Sequence, residues 1–349
     1  MERIEARTWT IAPGTAFATI RVETWSQFSD LIETHFLDWS EYVYRGQRCA
    51  EWPLISKFDR EISKGWETLR NADPYAGLDA DDRALVEQAI EGKGKPTLPG
   101  RDECLKEHLE SFKTAALGRR GASPKPLSDD EWWALGQHFG MATPLLDWTR
   151  SAYVACFFAL EDPTPPRSCF RAVWTFSHFA HVDILINQPE NYEKRREELR
   201  IIELIETPID ENNRMISQSG LFTRTPSGED IASFIDGNVN LSGFNPILHR
   251  IEIPDRHRDL FLRHLELMNI HAGTLFPDLV GAAAIANRRL EKKTSRLLLQ
   301  QTPIFLRNML SDMPVHEGTS ATERSMAPVK RSLAKSRRIS KRKRPAKRT

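Results

Sequence analysis

The chain has 349 residues, 40% of them hydrophobic, with 49 Lys or Arg against 48 Asp or Glu and a formal net charge of +1. That length supplies a substantial core, in one large domain or two smaller ones. The absence of any run of about 18 apolar residues predicts no membrane-spanning helix, and four scattered cysteines without a C-x-x-C pair argue against zinc or a disulfide framework, so a reducing cytoplasm is the expected location.

In chain order, AFATIRVET reads as a short strand, after which Ser26 is placed to cap an amphipathic helix with Phe28, Leu31, Ile32 and Phe36 at helical spacing. YVYRGQ (42–47) is a β-rich run broken by Gly46, and WPLISKFDREI (52–62) starts as a loop and turns helical. Residues 71–100 read as a loop around one helix, ADDRALVEQAI, and the pattern is helical again from Arg101 to Leu117. Ser128 before Asp-Asp-Glu is a helix start, and Gly140 is a fitting C-terminal stop. After a turn at 162–168, RAVWTFSH alternates like a strand. Residues 190–206 read as helical, 217–226 and 248–254 as strands, and 256–270 as an amphipathic helix with Leu260, Phe261, Leu265 and Met268 on one side. TLFPDLVGAAAIANRRLEKK begins as a loop and runs into a helix. Strands and helices mix without regular βαβ spacing, so the predicted class is α+β, a mixed or antiparallel sheet with surrounding helices. No GxGxxG or GxxxxGK[ST] is present, which speaks against dinucleotide-fold and P-loop chemistry. From about residue 313 the composition shifts to Ser, Thr, Pro, Lys and Arg and predicts disorder. Residues 329–349 hold eleven Lys or Arg and no acid; without them 38 basic residues face 48 acidic ones. The expected organisation is an extension over 1–20, a domain over 21–312 and a basic tail over 313–349, the tail being a handle for nonspecific nucleic acid binding.

The densest concentration of chemistry is LGQHFGMATPLLDWTRSAYVACFFAL (135–160). Gln137, His138, Asp147, Thr149 and Ser151 crowd against Trp148 and an apolar run. Buried polar groups cost free energy unless paired, so such a cluster either satisfies itself or faces a ligand. Thr149 or Ser151 is placed to cap the helix YVACFFAL, Trp148 offers a stacking face and Asp147 an acceptor. His138 reads as a satisfied core histidine in preference to a ligand group. Arg45, between Tyr44 and Gly46, presents a fork of donors suited to carboxylate or phosphate. It either grips a ligand, with Gly46 opening space for it, or pairs with an acid such as Asp147. SQSGLFTR repeats the style of the central stretch, with Gln218 and Phe222, and Asp278 stands on the LFPDL turn.

Together these blocks resemble the FRG domain family, named for an aromatic–Arg–Gly motif. The motif stands here as Tyr44-Arg45-Gly46-Gln47, followed by WPLISKFDR, which ends on Arg60. LGQHFGMATPLLDWTRSAYVACFFA resembles the family's second block, and NNRMISQSGLFTR and TLFPDLVG its later ones, over roughly residues 25–285. Pro144 departs from the basic or polar residue expected before LLDWT. The layout has a remoter likeness to ADP-ribosyltransferases, which implies NAD as the cofactor. In that likeness Arg45 grips the NAD pyrophosphate or ribose, Thr149 with Ser151 braces the nicotinamide end, and a later acid holds the ribose 2′-hydroxyl. Glu252 is the first choice for that acid, with Asp278 as the other. The competing expectation is a non-catalytic module that recognises a nucleotide or a peptide. No metal site is expected.

Overall fold

The computed structural model describes residues 17–37, 41–71, 77, 79, 82–83, 99–121, 123–188, 191, 194, 198–207, 213–239, 246–291 and 293–294. The chain divides into two compact units, Met1–Ala286 and Asn287–Thr349. In the second, 287–291 and 293–294 are helical; the basic tail, the helix expected at ADDRALVEQAI and most of the N-terminal extension lie outside the described residues.

The first unit is built on a seven-stranded sheet. Its strands are β1 (Ala18–Arg21), β2 (Tyr42–Gln47), β3 (Leu146–Thr149), β4 (Phe170–Ser177), β5 (Glu203–Ile205), β6 (Gly220–Arg224) and β7 (Leu248–Pro254), in the order β1-β7-β4-β2-β3-β6-β5. β1 runs parallel to β7 and the remaining neighbours are antiparallel, so the sheet is mixed and the α+β class holds. The helices are α1 (Trp25–His35), α2 (Lys57–Asn71), α3 (Arg101–Ala115), α4 (Asp129–His138), α5 (Ala152–Leu160), α6 (His178–Ile186), α7 (Asn213–Gln218), α8 (Ile231–Asn238), α9 (Arg258–Leu267) and α10 (Ala272–Leu275).

Strand alternation divides the core. Tyr44, Val173 and Ile251 point to one face and pack with Phe28, Phe157 and Phe261 from α1, α5 and α9. Val43, Trp174 and Leu248 point to the other and pack with Ile184, Phe234 and Ile235 from α6 and α8. A third cluster joins Trp133 and Leu135 of α4 to Phe222 of β6. β4, in the middle of the sheet, is buried from Arg171 through Ser177.

Local signals explain most boundaries. Ser128 accepts from the Glu131 amide at 3.3 Å, and Glu131 returns the bond to the Ser128 amide at 2.7 Å, closing a capping box. α4 ends in a Schellman turn: Gly140 N–H donates to Gln137 at 3.0 Å and Met141 N–H to Gly136 at 2.9 Å, with Gly140 at φ +90°.

Several expectations are corrected. Thr24, not Ser26, caps α1, because only Thr24 has a reciprocal partner three residues on, Gln27. β2 runs unbroken through Gly46. The helix expected over 190–206 is not found among the described residues of that span, where Glu203–Ile205 is instead β5, paired with β6. Ser217 and Gln218 belong to α7 rather than to a strand. On α9 the buried face is Phe261, Leu262 and Leu265, while Leu260 and Met268 stand 46% and 45% exposed; Phe261 and Leu265, one turn apart, fix which side meets the core.

Candidate functional site

β2 pairs with β4 along six residues but shares one register pair with β3, Tyr44 with Thr149. Beyond that pair the two strands part, and a cleft of about 520 Å³ opens within the sheet. Its walls are β2 and the turn after it (Tyr44 to Arg48, Trp52), β3 (Asp147 to Thr149), the end of α5 (Phe158, Glu161, Asp162) and Met215, Gln218, Gly220, Leu221, Phe222 and Phe276.

Arg45 spans the parting. Its Nη1 donates to the Asp147 carbonyl at 2.6 Å and lies 3.7 Å from the Asp147 carboxylate, so the pairing with Asp147, one of its two anticipated roles, is present. Its Nε is buried without a hydrogen-bond partner among the described residues. Burial holds the guanidinium below its ordinary value and nearby Arg60 adds to this, while Asp147 opposes it. Asp147 itself is 66% exposed and is oriented by Gln137, whose amide donates to it at 2.5 Å while accepting from Thr143. The Arg45–Asp147 link therefore leaves the cleft open.

Gly46 corrects an expectation. It opens no space for a ligand: a Cβ there would lie 2.0 Å from the Ala155 carbonyl oxygen and 2.5 Å from the Ala159 nitrogen. The missing side chain seats α5 on β2. Thr149 donates to the Gln218 carbonyl at 2.6 Å and Gln218 reaches the Leu275 carbonyl at 3.0 Å, tying β3, α7 and α10 around one wall. Gln47 lines the cleft, but its amide is engaged by Pro53 and Trp174. Tyr44 donates its hydroxyl to the Phe36 carbonyl at 2.5 Å.

Other expected residues are engaged in the core or elsewhere, Trp148 and Phe222 while still lining the cleft. Trp148 is 3% exposed and its indole donates to Thr223 at 2.8 Å, so its ring is core rather than a stacking face. Phe222 packs in the third core cluster. Ser151 is not among the lining residues; its hydroxyl caps α5 through Val154 at 3.3 Å. Glu252 is not there either, since β4 and β2 separate β7 from the parting. Its carboxylate is taken by Arg21 at 2.9 Å and Arg250 at 3.0 Å. Asp278 accepts from the Val280 and Gly281 amides and starts the next helical stretch. His138, beside Phe139, is also outside the lining. Arg60 donates to the Ile55 carbonyl at 2.6 Å and reaches the cleft only electrostatically. Cys156 is fully buried and its thiol is pushed up by that burial, which leaves it inert. No cluster of His, Cys, Asp and Glu able to hold a metal occurs among the described residues.

The acid that sequence reading missed is Glu161, with Asp162 beside it. Loss of water pushes the Glu161 carboxyl up to about 7, and the charge of Asp162 adds to this. Glu161 follows directly on the apolar run of α5, and that position at a helix end was the available signal. The turn carrying the two acids is clamped from behind. Fully buried Arg171 donates to the carbonyls of Ala159 at 2.9 Å, Asp162 at 2.8 Å and Thr164 at 3.1 Å, and pairs with Asp255 at 2.5 Å. Arg258 takes the Leu160 and Glu161 carbonyls at 2.6 Å and 2.7 Å. A helix normally leaves its last carbonyls unpaired; here two guanidiniums fill them.

The FRG domain family model matches residues 40–168, a span containing β2, α2, β3, α5 and the acid turn. That stretch of the chain carries an FRG domain. The match is narrower than the 25–285 read by resemblance, and the blocks at NNRMISQSGLFTR and TLFPDLVG lie beyond it. No curated protein and no solved structure matches the chain. No helix among the described residues is long and apolar enough to cross a membrane.

Proposed function

We propose that the cleft binds NAD and transfers its ADP-ribosyl group. The observation that carries this reading is the meeting, in one open cleft, of a desolvated guanidinium with an unfilled donor (Arg45), a hydroxyl (Thr149) and a carboxyl of near-neutral pKa (Glu161). The volume lies within the range of small-molecule sites, roughly 300–1,000 Å³. Arg45 and Arg48 hold phosphate oxygens, a task suited to a fixed guanidinium fork. Glu161 replaces Glu252 as the acid that accepts a ribose hydroxyl and faces the positive charge that develops as nicotinamide departs. The bond from the ribosyl carbon to nicotinamide breaks, nicotinamide leaves with the electron pair, and an acceptor heteroatom bonds to that carbon while its proton passes to a carboxylate or to water.

The test is incubation with labelled NAD and cell lysate. Wild type is expected to release nicotinamide and transfer label, and Arg45→Ala to lose at least a hundredfold of that rate. NAD binding without nicotinamide release would replace the transferase with the alternative, a nucleotide-recognition module. Neither binding nor release would remove the reading.

The pH dependence follows from Glu161. With its pKa raised to about 7, the side chain is protonated below that pH and becomes a carboxylate above it. Turnover is expected to rise through pH 7, and Glu161→Gln to abolish that limb of the profile. The stability effect has the opposite sign. The unfolded chain loses this proton near the ordinary glutamate value and the folded chain holds it until about 7, so Glu161's contribution to stability falls as pH rises through that window. Glu161 taken as a whole is exposed at the cleft rim although its carboxyl is crowded by the cleft walls, and solvent screening keeps this effect small.

The second proposed activity belongs to residues 329–349, whose eleven basic residues and lack of acids favour nonspecific, salt-sensitive nucleic acid binding. Unchanged low-salt DNA retention after deletion of 320–349 would refute it.

A further inference from the structure

We infer that Trp52, covered from one side by Arg48, is the platform on which the adenine of the bound nucleotide stacks. The inference rests on the nucleotide reading above and adds which ring binds where. Trp52 is the most exposed aromatic side chain in the cleft, at 44%, whereas Tyr44, Trp148 and Phe222 are nearly sealed in the core. An indole left this open at a cleft wall offers free surface to a ligand in the cleft.

The backbone that carries the indole is also held in place. The turn after β2 is pinned by the Ala50 amide on the Phe170 carbonyl at 3.1 Å, by the Trp52 amide on the Cys49 carbonyl at 3.2 Å and by Gln47 on the Pro53 carbonyl at 3.3 Å. Arg250 takes the Ala50 carbonyl at 3.3 Å. A ring fixed before binding loses little freedom when a base stacks on it. The Arg48 guanidinium carbon lies 5.0 Å from the indole centroid, and its Nε lies 3.4 Å from Asp162, which is itself fixed by the Thr164 amide. A planar guanidinium and an indole thus stand together beside Arg45, which supplies the phosphate contact.

Charge decides between the two rings of NAD. The nicotinamide ring is cationic and is repelled by Arg48, whereas adenine is neutral and stacks freely beside it. Adenine therefore lies at the Trp52 end, and nicotinamide is left to Thr149 and Glu161.

The experiment is calorimetric titration of the full chain with AMP, ribose 5-phosphate and nicotinamide mononucleotide. AMP is expected to bind roughly 5- to 100-fold more tightly than ribose 5-phosphate, the range that base stacking on an aromatic ring confers. Trp52→Ala should bring AMP down to the affinity of ribose 5-phosphate while leaving ribose 5-phosphate unchanged, and Trp52→Phe should keep most of the difference. The proposal is overturned if Trp52→Ala preserves the AMP preference, or if nicotinamide mononucleotide is the ligand that weakens. If none of the three, nor NAD, binds wild type, the functional reading of the cleft fails, and that outcome is distinct from a retained AMP preference.

Discussion

Replacing Arg171 by alanine is expected to destabilise the protein by about 3–5 kcal/mol, the scale for removing one partner of a buried ion pair. The side chain is fully buried and contacts Asp255 and three backbone carbonyls. Its loss leaves the Asp255 carboxylate without its guanidinium and several helix-end carbonyls unpaired at once. Lysine should not rescue it, because one ammonium cannot reproduce a planar fork that donates in several fixed directions. Urea unfolding of wild type, Arg171→Ala and Arg171→Lys checks this, and a loss under about 1 kcal/mol would contradict the clamp. Arg258→Met, which removes the neighbouring donor to Leu160 and Glu161, should cost less because Arg258 lies nearer the surface.

Gly46→Ala carries the second large effect. The added methyl meets the backbone of α5: the Ala155 oxygen at 2.0 Å, the Ala159 nitrogen at 2.5 Å and the Phe158 carbonyl carbon at 3.0 Å. No flexible side chain can give way, so α5 must lift from β2. Overpacking of this kind costs about 1–3 kcal/mol. It also shifts both walls of the cleft, since Gly46 adjoins Arg45 and α5 leads to Glu161. The expected result is a folded but weakened protein that has lost nucleotide binding. Thermal melting and titration on the same sample measure the two losses separately. Wild-type binding in Gly46→Ala would show that the contact between α5 and β2 does not set the site.

Much of the frame was legible because its signals are local. Ser128 with Glu131, Gly140 after α4 and Ser151 before α5 are caps whose partners lie within a few residues. The α+β class followed from irregular spacing of strands and helices. The site was less legible because its partners are distant in the chain. Glu252 reads as a candidate acid on a strand, but its partner Arg21 stands 231 residues earlier. Asp278 and Asp147 look alike as turn acids, yet only Asp147 lies where the sheet parts. Glu161 stands with Asp162 directly after an apolar helix and gains its raised pKa from the surroundings. Gly46 was read as room for a ligand because nothing local reveals that α5 returns to fill that room. Trp52 stood at the start of a stretch read only as a loop, while Trp148 was read as a stacking face; the structure exposes the first and buries the second.

The single register pair between β2 and β3 has a mechanical consequence. The sheet behaves as two leaves, β1-β7-β4-β2 and β3-β6-β5, with Arg45 as a stitch across the seam. The guanidinium proposed to receive a ligand is thus also a fastener of the scaffold. Occupancy of the cleft would tighten the seam, and whatever draws Arg45 away from the Asp147 carbonyl would loosen it, so saturation and stiffness are coupled through one side chain.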